Sequence, residues 1–156
     1  MSIANKLDKH LKEQSVDYEL VPHHHTESSL DSAAAAHIPA QRLAKAVIVR
    51  DGESFLMVVV PSEYHVHLGH LHRHLGREVG LATEQELVTL FPDCDEGAIP
   101  PCGALYGLKT LVDTAVLAQP EVFFESGDHE TLVKVSGEQF RSLLGAVEAV
   151  DVGQHP

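Results

Sequence analysis

Positive charge is scarce in this chain of 156 residues: 11 Lys and Arg stand against 23 Asp and Glu, a formal charge of -12 with histidine neutral. That deficit excludes a broad basic face tracking a polyanion, so a nucleic-acid partner has to be gripped locally, through few phosphates. Cysteine is nearly absent as well. Cys94 and Cys102 flank the stretch DEGAIPP without CxxC spacing, which argues against a disulfide framework or a cysteine zinc site and for two reduced thiols. No apolar run approaches the roughly 18 residues that span a bilayer, and the opening stretch MSIANKLDKHLKEQ alternates in charge where a signal peptide would be apolar. A soluble, cytoplasmic protein with no membrane partner is expected. Neither a GxSxG elbow nor an HExxH pattern occurs.

What is present is enough apolar residue, 44%, for one core, so residues 1–156 are expected to form one domain. Ile3, Leu7 and Leu11 recur at every fourth position over residues 2–14 and predict a surface helix packed by one stripe. Val16 to Val21 alternates at period two until Pro22 and predicts a short strand. Ser28 or Ser29 is placed to cap the alanine-rich helix that follows. Residues 45–50 and 54–61, joined at Asp51-Gly52, predict a hairpin whose near-continuous apolar second run belongs in the sheet interior. A helix is expected from His67 to Leu75, ended by Gly76, and another from Thr83 with Glu86 at capping-box distance. The Pro- and Gly-rich stretch 92–107 predicts an ordered loop leading to a strand around Leu105 and Tyr106. Residues 121–125 and 131–135 predict a second hairpin, and Ser136 caps a last helix carrying Phe140, Leu143 and Leu144. The fold class expected is α+β: a mixed, mostly antiparallel, barrel-like sheet flanked by short helices.

Four features could carry chemistry. Lys45 begins an otherwise apolar strand, with Arg42 three residues before it. It is either a solvated strand end or a compact cation for a phosphate or ester oxygen. The loop Gly97-Ala98-Ile99-Pro100-Pro101 combines a glycine with two prolines of fixed φ, and such rigidity serves either a connector or a fixed set of backbone N–H donors. Ser126, Asp128 and His129 suggest a triad, yet neighbours along one turn do not generally point at each other, so a serine hydrolase is disfavoured. Histidine is dense, at 12 residues. His67, His70 and His74 could share a helix face for a metal, but the Leu68, Leu71 and Leu75 stripe turns them to solvent, and no native metal site is expected.

In order and spacing these landmarks resemble the YbaK-like family of aminoacyl-tRNA deacylases, which includes the editing domain inserted in many bacterial prolyl-tRNA synthetases. The landmarks are His23 to Thr26 before the alanine-rich helix, the Lys45 strand AKAVIV, the strand ending VVVP, the helices LHRHLG and ATEQELVTLF, the GxxxP loop Gly97 to Pro101, and the hairpin ESGDHETLVKVS. The resemblance runs from about Tyr18 to Leu144 and implies a mixed β-barrel flanked by helices. It implies hydrolysis of the aminoacyl ester at the 3′ end of mischarged tRNA, without metal, cofactor or protein nucleophile, because the vicinal ribose hydroxyl helps deliver water. Lys45 would correspond to the family's lysine, engaging the terminal phosphate or ribose. Thr26 and the backbone of Gly97, Ala98, Ile99, Pro100 and Pro101 would hold the aminoacyl end, while Gly127 and His129 would shape its side-chain pocket. A synthetase or elongation factor is the kind of protein partner implied, and oligomeric state is left open. With no synthetase domain in these residues, action in trans is expected. The strong acidity departs from many relatives and leaves a rival reading: a non-catalytic module of the same fold that binds an aminoacyl-like ligand or a protein. A metal-dependent hydrolase using the histidine helix is the third.

Overall fold

The computed structural model describes residues 4–26, 28–95 and 97–154. Helix α1 spans Asn5–Glu13 and buries Leu7 and Leu11, two of the three stripe residues expected; Ile3 lies outside the described residues. The strand expected from Val16 starts later, as β1, Glu19–Pro22. Val16 is drawn into the core instead, and its N–H donates back to the carbonyl of Leu11. Helix α2, Ser29–Ala35, opens as the sequence requires, with Ser28 Oγ accepting from the Asp31 N–H at 3.2 Å. A cap of this kind contributes about 1 kcal/mol.

The first hairpin joins β2, Leu43–Asp51, to β3, Ser54–Pro61, through a turn in which Gly52 takes φ +64°. Strand β4, His65–Val66, and helix α3, Leu68–Leu75, follow; α3 starts at His67 and stops at Gly76, whose φ of +74° suits glycine. Beyond β5, Gly80–Leu81, helix α4, Glu84–Leu90, carries the Thr83/Glu86 capping box. Leu105 and Tyr106 lie in a 3-10 turn, Gly103–Tyr106, where a strand was expected. The reason is steric: a Cβ at Gly103 would sit 2.1 Å from Thr110 Oγ1, so the chain bends sharply there, and Gly107 at φ +70° redirects it. The strand begins only at β6, Lys109–Asp113. Then come α5, Thr114–Leu117; β7, Glu121–Glu125; β8, Thr131–Ser136; α6, Gly137–Leu144; β9, Glu148–Val150; and β10, Gly153–Gln154, which pairs with β4.

The main sheet is mixed, in the order β1-β8-β7-β2-β3-β6-β9, with β5 paired to β2. The pairs β2·β3, β7·β8 and β1·β8 are antiparallel, whereas β2·β7, β3·β6 and β6·β9 are parallel. Strand β3 is buried on both sides from Leu56 to Val60, as its unbroken apolar run demands. On one face Ala44 and Ile48 of β2 join Met57, Val59 and Phe124 under α1 and α6, the largest core cluster. On the other face lie two smaller clusters. Leu43, Phe123 and Leu132 pack under Ala33 of α2, while Val49, Val58, Val60 and Leu111 pack under Leu71 of α3. Strand alternation places Lys45 on this second face, between Leu43 and Val47, where the two apolar clusters part.

Candidate functional site

The break between those clusters is where chemistry gathers. Lys45 is partly buried and stands opposite Val60 on β3. No carboxylate comes within 4.0 Å of its Nζ among the described residues, and burial alone pushes its ammonium below the ordinary lysine value. A cation that is desolvated and unpaired is held at a cost that a phosphate or ester oxygen would relieve. Arg42, by contrast, faces Glu121 at 4.0 Å.

Neighbouring β7 supplies the second element. Leu43 and Ala44 pair in parallel with Phe123 and Phe124, so the next residues on the same register are Lys45 and Glu125, both on the second face. Glu125 is 1% exposed. Its Oε2 lies 3.0 Å from Nδ1 of His129, itself 2% exposed and held at φ +56°. The turn between them is knotted by Asp128, whose Oδ1 accepts from the N–H groups of Glu130 and Thr131 and from Ser126 Oγ at 3.3 Å. Ser126 Oγ also donates to the Thr131 carbonyl at 2.7 Å. The serine and aspartate of this turn thus form a structural staple, with Ser126 fully buried and its hydroxyl tied to Asp128 and Thr131 rather than presented as a nucleophile.

The segment before α2 closes over this turn. The Thr26 N–H donates to the His129 carbonyl at 3.3 Å, and Thr26 Oγ1 meets Ser32 Oγ at 2.7 Å. The His25 ring stands edge-on to that of His129, 6.3 Å between centroids. Above them lies an open cleft of about 450 Å³ lined by His24, His25, Thr26, Asp31, Ala34 and Ala35. A hollow of about 490 Å³ elsewhere, between β1, β8 and α6, is a poorer place for a nucleic-acid end. Asp17, Glu19 and Glu121 line it, and its one cation, Lys134, is 3.9 and 3.8 Å from two of them.

The loop from Gly97 to Pro101 is anchored to the same turn. The Asp95 N–H donates to the Gly127 carbonyl at 2.6 Å, and the Ala4 N–H to that of Ser126 at 2.7 Å. Gly97 is exposed at φ +77°, whereas Ala98, Ile99, Pro100 and Pro101 are buried. The Ala98 N–H is used within the loop, donated to Asp95 at 3.1 Å. Gly127, at φ +116°, is wedged against Ala4 and the Asp93 carbonyl, a packing reason for glycine. The structure therefore ties Thr26 to His129 and Asp95 to Gly127 by direct backbone hydrogen bonds, and the GxxxP loop reaches this turn only through the Ala98 bond to Asp95. Lys45 approaches them from the sheet face, without a direct contact.

Glu125 and Ser32 were not singled out from the sequence. The signal for Glu125 was available: a carboxylate two residues after Phe123 in an apolar strand has to share its buried face. The histidine helix behaves otherwise. His67 Nδ1 accepts from the His70 N–H at 3.0 Å and the two rings stack, His74 contacts Glu148, and His72 Nε2 meets the Val79 carbonyl at 2.8 Å. No cluster of three metal-ligating side chains occurs among the described residues. Cys94 and Cys102 are free, and burial pushes each thiol up to about 12, leaving both unreactive. No helix among the described residues is long and apolar enough to cross a membrane.

Among solved structures, the hypothetical protein APE2540 matches with TM-score 0.84 at 24% identity, over 96% of this chain and 100% of that one. A candidate trans-editing enzyme for prolyl tRNA synthetase matches with TM-score 0.80 at 20% identity, over 96% and 95%. A candidate signal transduction protein from Marinobacter aquaeolei VT8 matches at 0.77 and 18%, over 97% of this chain but 31% of its own. At such identities these likenesses establish the fold. No curated protein gave a significant match. The family model for the aminoacyl-tRNA editing domain matches residues 23–143, which span α2, the Lys45 strand, the GxxxP loop, the His129 turn and most of α6. The chain belongs to the aminoacyl-tRNA editing domain family, of the YbaK-like kind.

Proposed function

We propose that this protein hydrolyses the ester of mischarged tRNA at the break between α2 and α3, with Lys45 gripping the 3′ end. The observation that carries the reading is Lys45 itself: an ammonium pushed down by burial, without a carboxylate partner among the described residues, on the face where Thr26 and the Glu125–His129 turn converge. In the reaction water adds to the ester carbonyl carbon and charge develops on its oxygen. The bond to the ribose oxygen then breaks, that oxygen takes a proton, and the amino acid and intact tRNA leave. The vicinal ribose hydroxyl is suited to orient the water, so no side-chain nucleophile is needed. Preorganised donors stabilise the developing oxyanion. Pro100 and Pro101 have no N–H and Ala98 has spent its own, so Gly97 and Ile99 are the donors that the loop can offer. No step of this scheme calls on a metal.

The test is a panel of tRNAs carrying different small amino acids, incubated with purified protein and assayed for released amino acid. Faster release from at least one member than from the spontaneous control is expected. Saturable binding of a member without turnover would favour the second reading, a binding module, which the formal charge of -12 supports.

A further inference from the structure

The cleft beside Thr26 holds a carboxylate that the hydrolysis itself does not use. Asp31 lines it together with Ala34 and Ala35, and these stand at i, i+3 and i+4 on α2. One helix face thus offers a carboxylate and, one turn on, two methyl groups. The Asp31 backbone is fixed by the cap, its N–H donating to Ser28 Oγ at 3.2 Å. Its exposed carboxylate meets no cation within 4.0 Å among the described residues. Of the other lining side chains, His24 and His25 are exposed imidazoles, and His25 Nδ1 lies 3.9 Å from Glu130 Oε1. The one permanent charge that lines this cleft among the described residues is therefore negative, where an RNA phosphate needs a positive one. An aminoacyl ester, by contrast, carries a single positive charge next to the bond to be cut, on its α-ammonium. We infer that Asp31 recognises the free α-ammonium of the esterified amino acid, with Ala34 and Ala35 against its side chain. The substrates are then aminoacyl esters with an unblocked amine, and N-acylated or peptidyl esters are passed over. This rests on the deacylase reading, which supplies the ester. A hydrogen bond from an ammonium to a carboxylate is charge-assisted and about twice as strong as a neutral one, whereas an N-acyl amide offers one neutral N–H. Because Asp31 is exposed, solvent screening keeps the discrimination near about tenfold. An acidic residue in the first turn of α2 also suits the helix dipole, but that contribution belongs to the fold and weighs on every substrate alike.

The experiment gives the full chain one tRNA carrying the amino acid it releases fastest, with the amine free, acetylated or replaced by hydroxyl. Rates are corrected for spontaneous hydrolysis and taken at about pH 6.5, where α-amino groups are charged. In the wild type kcat/KM for the free amine should exceed that for either analogue by about tenfold or more. Asp31→Asn keeps the shape and removes the charge; it should lower kcat/KM about tenfold for the free amine, chiefly through KM, and leave both analogues within about twofold. Asp31→Glu, which restores the charge, should keep part of the preference. A purely structural role would lower all three substrates together and leave their ratios unchanged. Such unchanged ratios in Asp31→Asn, or a wild type that treats the three alike, would overturn the inference. If Asp31→Asn fails to fold, the wild-type KM for the hydroxyl substrate decides, because that analogue removes the charge without adding bulk. A wild type that hydrolyses no mischarged tRNA refutes the deacylase reading. Calorimetry with an acceptor-stem RNA ending in amide-linked alanine, its amine free or acetylated, then decides the role of Asp31: tighter binding of the free amine, lost in Asp31→Asn, supports it, and equal binding or none overturns it.

Discussion

Replacing Lys45 by methionine separates the functional role of that residue from a structural one, because the unbranched stem is retained and only the ammonium is lost. In the folded protein burial holds the pKa of Lys45 below its ordinary value of 10.5. A folded-state pKa below the unfolded one means that the charged form favours the unfolded chain. This cost is full below the folded pKa and disappears as pH rises past the unfolded value. Lys45→Met should therefore be at least as stable as the wild type at neutral pH. The gain stays below about 1 kcal/mol because the group is only partly buried, which moves Tm up by no more than about 2–4 °C. Deacylation should fall by at least about 100-fold, equivalent to about 2.7 kcal/mol of lost transition-state stabilisation. In the wild type the same shift gives an alkaline limb. Enzyme-dependent release, corrected for spontaneous ester hydrolysis, should decline at a pH below that at which an ordinary lysine deprotonates. Thermal melts and initial rates on one mischarged tRNA measure both. A folded Lys45→Met protein with activity within threefold of the wild type would refute the reasoning, and so would a loss of stability that accounts for the loss of rate.

Three further expectations follow from the loop, the turn and the histidines. Gly127→Ala forces a Cβ to 3.1 Å from that of Ala4 at φ +116°, so denaturant titration should show a loss of about 2 kcal/mol, and an unchanged midpoint would mean that the turn relaxes freely. Gly97→Val acts at an exposed φ of +77°; the melt should shift by less than that of Gly127→Ala while deacylation drops at least about tenfold, and a normal rate would reduce the loop to a connector. Chelator treatment should change neither the melting temperature nor the rate, whereas stoichiometric zinc in untagged protein whose removal abolishes activity would revive the histidine helix as a site.

The elements with local signals were legible in the residues. Ser28, Thr83 and Ser136 accept from the backbone N–H groups three residues on, and Gly76 stops α3 in the left-handed region, because caps and stops depend on side chains within one turn. Both hairpins were legible for the same reason. Strand β6 and the 3-10 turn before it were not: Leu105 and Tyr106 have the stronger strand character, but the bend at Gly103 is set by Thr110 and Leu108, contacts made only after folding. Lys45 could be read as unusual in its strand, yet whether it was solvated or desolvated depended on which clusters flank it on the second face. Glu125 escaped because its partner, His129, lies across a turn whose geometry comes from Asp128 and Ser126.

The charge deficit, which stands against a tRNA partner on composition alone, takes a different meaning once the cations are located. Lys9, Lys12, Arg42, Arg50, Arg77 and Lys134 each have a carboxylate within ion-pair distance, so these cations are partly neutralised before any ligand arrives. Lys6, Arg73, Lys109 and Arg141 have none among the described residues but are exposed, whereas Lys45 has none among them and is partly desolvated. On the proposed reading, a polyanion approaching this surface meets repulsion over most of it and grips the desolvated Lys45 at the break between α2 and α3. Affinity built on one or two phosphates of a single-stranded end falls with salt with a slope of only about -0.7 per contact on logarithmic axes, against about -10 for a protein that covers a duplex. The KM for a mischarged tRNA should accordingly change no more than about threefold to sevenfold between 50 and 200 mM salt if one or two contacts are made. A much steeper dependence would require a basic surface that this fold does not present among its described residues, and would point to a second chain supplying it.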